Sequence, residues 1–203
     1  LRKYSLNLYK ELEKKTDLST GLKQNGAITI ASTKERLQEL LRQATAAQLF
    51  DVNVEVLDKK KVKDLYPVIH DKDIRGGVYM PEDGQADPVG VTNVLAKAAR
   101  MEGVKIFEKT RALEILQGSS TVIKTPQSKV TASYVIFACN GYQGAINDKN
   151  SNWVMPINNF IVATRQMSKV EQERLIKNNY AVSDTKFIVN YFRFSKDRRL
   201  LFG

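Results

Sequence analysis

The 203 residues include 42% hydrophobic side chains, enough to bury a substantial core, and no apolar run approaches the roughly 18 residues that a membrane-spanning helix needs. A single cysteine, Cys139, excludes an internal disulfide and favours a reducing, cytoplasmic setting, while a single histidine, His70, argues against a zinc site. The net charge of +10 raises the question of a nucleic-acid or other anionic partner, but the densest basic run, residues 59–63, fits an exposed helical face better because no row of aromatic side chains accompanies it.

The beginning of the chain combines helical and extended patterns. Apolar residues spaced three and four apart predict an amphipathic helix over residues 1–15. Residues 22–31 predict a strand or a hairpin whose tip is an Asn-Gly pair. A capping box that starts at Ser32 then predicts a helix over residues 33–50.

A strand, a short helix and another strand follow. Residues 52–57 alternate between apolar and polar side chains, which predicts a half-buried strand. Asp58 is suited to cap a short helix, and that helix ends near Tyr66 because the residue before Pro67 disfavours helical geometry. Residues 74–80 predict the next strand.

The clearest helix in the sequence begins after Asp87. Asp87 is a capping residue, Pro88 occupies the first helical position, and apolar side chains recur at helical spacing up to Gly103, a predicted left-handed cap. Residues 104–108 follow at once as a predicted strand, as in the αβ units of a parallel sheet.

A meander and a buried strand are predicted next. Three short β-type segments, residues 112–116, 121–124 and 129–132, are separated by tight turns and predict a three-stranded meander. Residues 134–138 then predict a strand buried on both faces, ended by an Asn-Gly turn with positive φ. Because ligands of open α/β sheets lie outside the carboxyl ends of the strands, this turn is a candidate ligand contact.

The last third predicts three extended segments, at residues 159–165, 186–193 and 199–202. A capping box at Ser168 begins a helix between the first two. Since the chain starts without Met and stops on a predicted strand, we expect it to be part of a longer protein.

Catalytic motifs are absent from these 203 residues. No two glycines are spaced as in a phosphate-binding G-x-G turn, and no Walker sequence occurs. His70 is interpreted as a solvated loop residue, so no Ser/His/Asp set can form, and Cys139 is interpreted as a packing residue rather than a nucleophile. The catalytic residues are therefore unknown, and no metal ligands are expected.

Short sequence segments, taken in their order along the chain, are more informative than catalytic motifs. Residues 77–88, 96–104 and 138–142 together resemble the FAD-dependent amine and amino-acid oxidoreductases of the D-amino-acid oxidase superfamily, which includes glycine oxidase and sarcosine oxidase. Residues 155–160 and 190–203 look most like the branch that contains gamma-glutamylputrescine oxidoreductase.

The resemblance implies an α+β (mixed α/β) fold. It combines two parts. One is a substrate domain made of an antiparallel sheet and helices. The other is part of an FAD-binding Rossmann-like domain and consists of an inserted β-meander and a helix-strand part. On this basis residues 1–86 and 148–203 form the two parts of the substrate domain, and residues 87–147 are the FAD-binding segment. The family's G-x-G-x-x-G turn would precede Leu1, and the final flavin segment would follow Gly203. We therefore expect the isolated chain not to bind FAD stably and to be inactive.

The resemblance also assigns site residues by position. In relatives, the segment matching 110–112 pairs with the adenine through its main chain, and the turn matching 138–141 approaches the FAD ribose and pyrophosphate, where a side chain at Gly141 would collide. Tyr191 and Arg193 match the sheet face that looks at the flavin, and Arg193 can pair with a substrate carboxylate; an exposed strand residue is the equally weighted alternative. The expected cofactor-binding residues are Thr110, Arg111, Ala112, Ala138, Cys139, Asn140 and Gly141.

The implied chemistry is removal of a hydride from the carbon next to an unprotonated amine, with reduced flavin and a hydrolysable imine as products. The expected partner is a small-molecule amine or amino acid, with no nucleic acid and no transmembrane segment. Two alternatives stay open. One is a catalytically inactive, flavoenzyme-like regulatory or binding module, and the other, weaker one is an anion or nucleic-acid binder that uses the positive charge. The amine, the electron acceptor and the oligomeric state are not predicted.

Overall fold

The structure, a computed structural model, describes residues 2–70, 72, 74–142, 146 and 153–203. It divides into two compact units. The large unit comprises Leu1–Gly103 and Phe160–Gly203, and the small unit comprises Val104–Asn159. The predicted domain boundary between residues 147 and 148 lies outside the described residues, and the predicted assignment of domains stays a prediction.

Helices and strands alternate along the described chain. The helices are α1 (Arg2–Thr16), α2 (Lys34–Gln48), α3 (Lys59–Leu65), α4 (Pro88–Met101) and α5 (Lys169–Leu175). The strands are β1 (Ala27–Ala31), β2 (Glu55–Leu57), β3 (Gly76–Met80), β4 (Glu114–Leu116), β5 (Thr121–Lys124), β6 (Lys129–Ala132), β7 (Val162–Ala163), β8 (Ala181–Asp184), β9 (Tyr191–Phe194) and β10 (Leu200–Phe202). This mixture confirms the predicted mixed α/β class.

The large unit is built on a seven-stranded sheet in the order β2-β3-β1-β8-β9-β10-β7. Its neighbouring strands are antiparallel except for β1 and β8, which are parallel. Strands from the beginning and the end of the chain therefore meet at the centre of the sheet.

Side-chain caps fix where four of the helices begin. Asp58, Asp87 and Ser168 accept main-chain hydrogen bonds at the starts of α3, α4 and α5, as the sequence predicts. The capping prediction for α2 is wrong by one residue. Thr33 rather than Ser32 caps it, because Thr33 has extended φ and ψ angles of −123° and 163° and accepts from the Arg36 amide.

The two faces of the sheet are covered differently. On one face, Ile28, Val182 and Phe194 pack against Val62 and Ile176 in the main core. On the other face, α2 covers only the end near β3, where Val78 packs in a smaller cluster with Ala31, Leu40 and Ala44. The part of that face formed by β8, β9 and β10 is left for the cleft described below.

For residues 22–31 of the large unit, the strand alternative is confirmed by β1 and the hairpin alternative is wrong, and one further strand was not predicted. The Asn-Gly pair at residues 25–26 is not a hairpin tip, because Lys23 bridges to Gln85 and β1 pairs with the distant strands β3 and β8. The strand β8 was not predicted. Its sequence, Ala-Val-Ser-Asp, has one large apolar side chain, and the strand forms because it pairs with β1, which is distant in sequence.

The small unit contains the predicted meander, with β4, β5 and β6 paired antiparallel in that order. The predicted strands at residues 104–108 and 134–138 do not form, and several of their apolar side chains are exposed, among them Phe107, Tyr134 and Ile136. A strand needs a neighbour for its main-chain groups, and neither segment has a ladder partner within the described residues.

Candidate active site

The open part of the sheet face carries the two residues expected to contact substrate. Tyr191 and Arg193 alternate along β9 with Phe192 and Phe194, and Phe194 is only 1% exposed in the core. Successive side chains of a strand point to opposite faces, so Tyr191 and Arg193 lie on the face away from the core. The register places Ser183 of β8 opposite Tyr191 and Leu201 of β10 opposite Arg193.

A cleft of about 740 Å³ lies over this face. Tyr191, Arg193 and Leu201 line it from the sheet, and Asp87 lines it from the start of α4. A smaller recess of about 270 Å³ also borders Tyr191 and Arg193 and extends over Thr29 and Ser183. The predicted pair is therefore brought together at the wall of a cavity of ligand size.

Arg193 is held by a neutral group. Its Nη1 donates to the side-chain Oε1 of Gln85 at 3.1 Å. Within the described part of the chain, no carboxylate lies within salt-bridge distance of Arg193, although ion pairs form elsewhere on the surface. The guanidinium is thus not paired with a described carboxylate, and most of its five N–H donors remain for another partner.

Tyr191 is held through its main chain. Its N–H donates to the Gly203 carbonyl at 2.9 Å, and the Gly203 N–H donates back to the Tyr191 carbonyl at 2.9 Å. A Cβ added to Gly203 would lie 2.6 Å from the Tyr191 ring, so only glycine lets the ring lie against that strand end. Tyr191 is 39% exposed and presents the rest of the ring to the cleft.

Two hydroxyl groups lie at the recess. Thr29 Oγ1 and Ser183 Oγ, from the parallel strands β1 and β8, are 3.3 Å apart and share a hydrogen bond. One hydroxyl hydrogen and several lone pairs of this pair stay available. The recess is therefore small and presents hydroxyl groups beside the aromatic ring of Tyr191.

Sequence reasoning missed Gln85 and Gly203 as site residues. Gln85 lies in a polar turn whose local pattern gives no indication of burial, and only its long-range bridge to Lys23 places it beneath Arg193. Gly203 was noted as part of a family phrase, but the ring that it accommodates belongs to another strand.

The expected adenine-binding segment belongs to the small unit. Thr110 Oγ1 donates to the Glu108 carbonyl at 2.9 Å. The main-chain pairing of the meander begins only at Leu113, whose N–H donates to the Lys124 carbonyl at 2.8 Å. Arg111 is exposed and Ala112 is half-buried. The main-chain groups of residues 110–112 form no main-chain hydrogen bond with other described residues, so they are free for a ligand.

The expected ribose and pyrophosphate turn also belongs to the small unit. The Tyr142 N–H donates to the Cys139 carbonyl at 2.9 Å and closes the turn. The left-handed residue is Asn140, with φ of 50°, and a Cβ on Gly141 would lie 3.4 Å from Pro156. Ala138 and Cys139 are exposed, so the interpretation of Cys139 as a packing residue is wrong.

Comparison with known proteins identifies the family. A family model described as FAD dependent oxidoreductase (DAO) matches residues 1–203. The chain belongs to this family.

The similar proteins include one named as a regulatory subunit as well as oxidoreductases. The pyruvate dehydrogenase phosphatase regulatory subunit, mitochondrial, of Mus musculus is 33% identical over 135 residues, covering 66% of this chain and 15% of that protein. Gamma-glutamylputrescine oxidoreductase of Escherichia coli is 27% identical over 180 residues, covering 88% of this chain and 42% of that protein. The crystal structure of glycine oxidase from Geobacillus kaustophilus matches 100% of this chain and 53% of its own, with a TM-score of 0.74 and 22% identity.

The chain spans about half the length, or less, of these relatives. The glycine oxidase match shows the fold, and the family match confirms the resemblance and names FAD as the family's cofactor. The described residues contain no helix long and apolar enough to cross a membrane. They also contain no group of three or more His, Cys, Asp or Glu side chains that could bind a metal ion.

Proposed function

We propose that the protein containing this chain is an FAD-dependent oxidoreductase that oxidises the C–N bond of an amine or amino acid to an imine. The observation that carries the proposal is Arg193, a cation without a carboxylate partner among the described residues, at the wall of a cleft on the open sheet face. Family membership supplies the reaction class. When bound, the flavin accepts the hydride.

The residues of the small unit fit an FAD adenosine and its phosphates. The main chain of residues 110–112 has hydrogen-bonding groups without partners in the described chain, as recognition of a base by main chain requires. The turn at residues 138–141 exposes small side chains, so a ligand can reach its main chain. We therefore propose Thr110, Arg111, Ala112, Ala138, Cys139, Asn140 and Gly141 as cofactor contacts.

The large unit supplies the substrate contacts in this proposal. Arg193 binds a carboxylate through a pair of charge-assisted hydrogen bonds, which fixes the orientation of the substrate. The ring of Tyr191 provides an aromatic wall that excludes water from the reacting carbon. The Thr29 and Ser183 hydroxyls, at the smaller recess, hydrogen-bond a polar substituent.

The test uses the full-length protein loaded with FAD. It is mixed anaerobically with a panel of amines and amino acids while loss of the oxidised flavin absorbance is followed. We expect Arg193→Ala to raise the apparent Kd of a carboxylated substrate by about 10- to 150-fold, the equivalent of losing a hydrogen bond to a charged group worth about 1.5–3 kcal/mol. The exposed Arg36 on α2 provides the matched control, and Arg36→Ala should leave that Kd unchanged. Flavin that no amine reduces would contradict the proposal.

A regulatory or binding module is the second candidate function. It is favoured by the similarity to a protein named as a phosphatase regulatory subunit. The same experiment separates the two candidates, because a regulatory module that has kept FAD should show no reduction by any amine.

We also propose a division of the chain into two functional parts: residues 1–86 and 148–203 form the substrate domain, and residues 87–147 form the FAD-binding segment. The two compact units support a division of this kind, except that residues 87–103 belong to the large unit. A small-molecule partner, no nucleic-acid partner and a cytoplasmic location complete the proposal. The lone cysteine supports the reducing compartment.

A further inference from the structure

Gln85 is a buried polar side chain directly beneath the proposed substrate-binding arginine. It is 7% exposed, and both ends of its amide are bonded. Its Nε2 donates to the Asn179 carbonyl at 2.8 Å, and its Oε1 accepts from Arg193 at 3.1 Å. A buried amide with both ends satisfied is held in a single orientation.

The main chain of Gln85 is fixed as well. The Lys23 N–H donates to the Gln85 carbonyl at 2.8 Å, and the Gln85 N–H donates to the Lys23 carbonyl at 3.0 Å. A Cβ on the preceding Gly84 would lie 1.9 Å from the Lys23 carbonyl oxygen, so this close bridge requires glycine. The side chain of Gln85 therefore starts from a rigid point.

Asn179 determines which end of the Gln85 amide faces Arg193. The Asn179 carbonyl can only accept hydrogen bonds, and it also accepts one from Asn25 Nδ2 at 2.7 Å. Asn178 and Asn179 have φ angles of 52° and 54°, a left-handed conformation that asparagine tolerates. Asn179 is tied to β9, because its Oδ1 accepts from the Phe194 N–H at 3.3 Å. The Gln85 amide must give its N–H to Asn179 and its oxygen to Arg193.

We propose that Gln85 is a positioning residue that orients Arg193 without neutralising it, and that this makes the site selective for substrates bearing a carboxylate. The inference rests on the function proposed above. A carboxylate at position 85 would pair with the guanidinium and compete with the substrate. It would also bring its second oxygen against the Asn179 carbonyl, which has no hydrogen to donate. A neutral acceptor holds one N–H of Arg193 and leaves the others for a bidentate partner.

The test measures charge selectivity in the full-length, FAD-loaded protein. Propionate and propionamide, which differ only in charge and hydrogen bonding, are titrated while the flavin absorbance reports binding. We expect Gln85→Glu, an isosteric change, to lower the preference for propionate by about 10-fold or more, and Gln85→Leu to lower it about threefold. The exposed Gln24, which donates to the Glu82 carbonyl at 2.9 Å, is the matched control, and Gln24→Leu should keep the wild-type preference.

A double-mutant cycle distinguishes positioning from a general structural role. If Gln85 acts through Arg193, then Gln85→Glu should change the ratio of the two dissociation constants less than twofold once Arg193→Ala is present. A preference for propionate that survives Gln85→Glu in an otherwise wild-type protein would overturn the role of Gln85 alone. A wild-type protein that binds both compounds equally would overturn the role of Arg193, and the inference with it.

Discussion

The two units of the molecule differ in how far their apolar side chains are buried. All the buried apolar side chains of the described chain belong to the large unit, where Phe194 is 1% exposed. In the small unit, Ile136 is 90% exposed although it lies in one of the most apolar segments of the sequence. Ile136 lies in a segment that the sequence predicts as a strand, and Phe194 directly follows another, residues 186–193.

Ladder partners account for this difference. Within the large unit, β9 pairs with β8 on one side and β10 on the other, so its main-chain groups are satisfied and Phe194 can enter the core. Residues 134–138 have no ladder partner in the described chain. A local apolar pattern therefore predicts extended conformation, whereas burial depends on segments that are distant in sequence.

Truncating the two side chains should give the largest contrast. In the 203-residue chain, Phe194→Ala should lower the free energy of unfolding by about 3–5 kcal/mol, because it leaves a cavity in the main core. Ile136→Ala should change it by less than about 0.5 kcal/mol. Urea unfolding followed by circular dichroism measures both values. An Ile136→Ala cost close to that of Phe194→Ala would show that the small unit buries this segment after all.

Close approach of strands gives the next contrast. A Cβ on Gly77 of β3 would lie 2.6 Å from the Thr29 carbonyl oxygen of β1. We expect Gly77→Ala to destabilise the chain by about 1–3 kcal/mol, as overpacking does. The nearest atom to a Cβ on Gly118, in the small unit, is 3.6 Å away, so Gly118→Ala should stay within about 0.5 kcal/mol. Equal urea midpoints for the two variants would contradict this difference in packing.

The same distinction explains what sequence reasoning could predict. The helix starts at Asp58, Asp87 and Ser168 were predicted correctly because capping is settled within a few residues. The strand β8 and the pairing of β1 were missed because they depend on contacts about 150 residues apart, as the 154-residue separation of the Thr29 and Ser183 hydroxyls illustrates.

The candidate site shows the same limit. Tyr191 and Arg193 were selected by family resemblance, and their common face follows from the period of a strand. Gln85 was not selected, since the hydrogen bond that gives it importance joins residues separated by 108 positions.

A helix cap and a turn provide a smaller contrast. At the start of α5, Ser168 Oγ accepts from the Glu171 N–H at 3.2 Å, while the Glu171 carboxylate accepts from the Ser168 N–H at 2.8 Å. Ser168→Ala should cost about 1 kcal/mol of unfolding free energy. In the small unit, Thr125 Oγ1 accepts from the Ser128 N–H at 3.0 Å in the β5–β6 turn, and Thr125→Ala should cost less than about 0.5 kcal/mol. The prediction fails if urea unfolding ranks the two variants in the opposite order.

The smallest contrast is a dependence on pH that separates two glutamates. Glu13 Oε1 accepts from Thr20 Oγ1 at 2.7 Å and from the Thr20 N–H at 2.6 Å, and the Thr20 side-chain bond lowers the pKa of Glu13 below its ordinary value. A group whose pKa is lower in the folded state stabilises that state above its unfolded pKa of about 4.3, and this contribution is lost as the pH falls through the folded pKa. Glu13→Gln should therefore destabilise the chain at neutral pH, and the difference from wild type should shrink as the pH falls below about 4. Glu114 of the meander, whose exposed carboxylate pairs with Lys124 at 2.6 Å, is the control, because exposed pairs contribute little. Urea midpoints of Glu13→Gln and of the control Glu114→Gln, at neutral and at acidic pH, measure the two contributions. If the difference between Glu13→Gln and wild type persists unchanged into acid, the Thr20 contacts stabilise the uncharged side chain equally well.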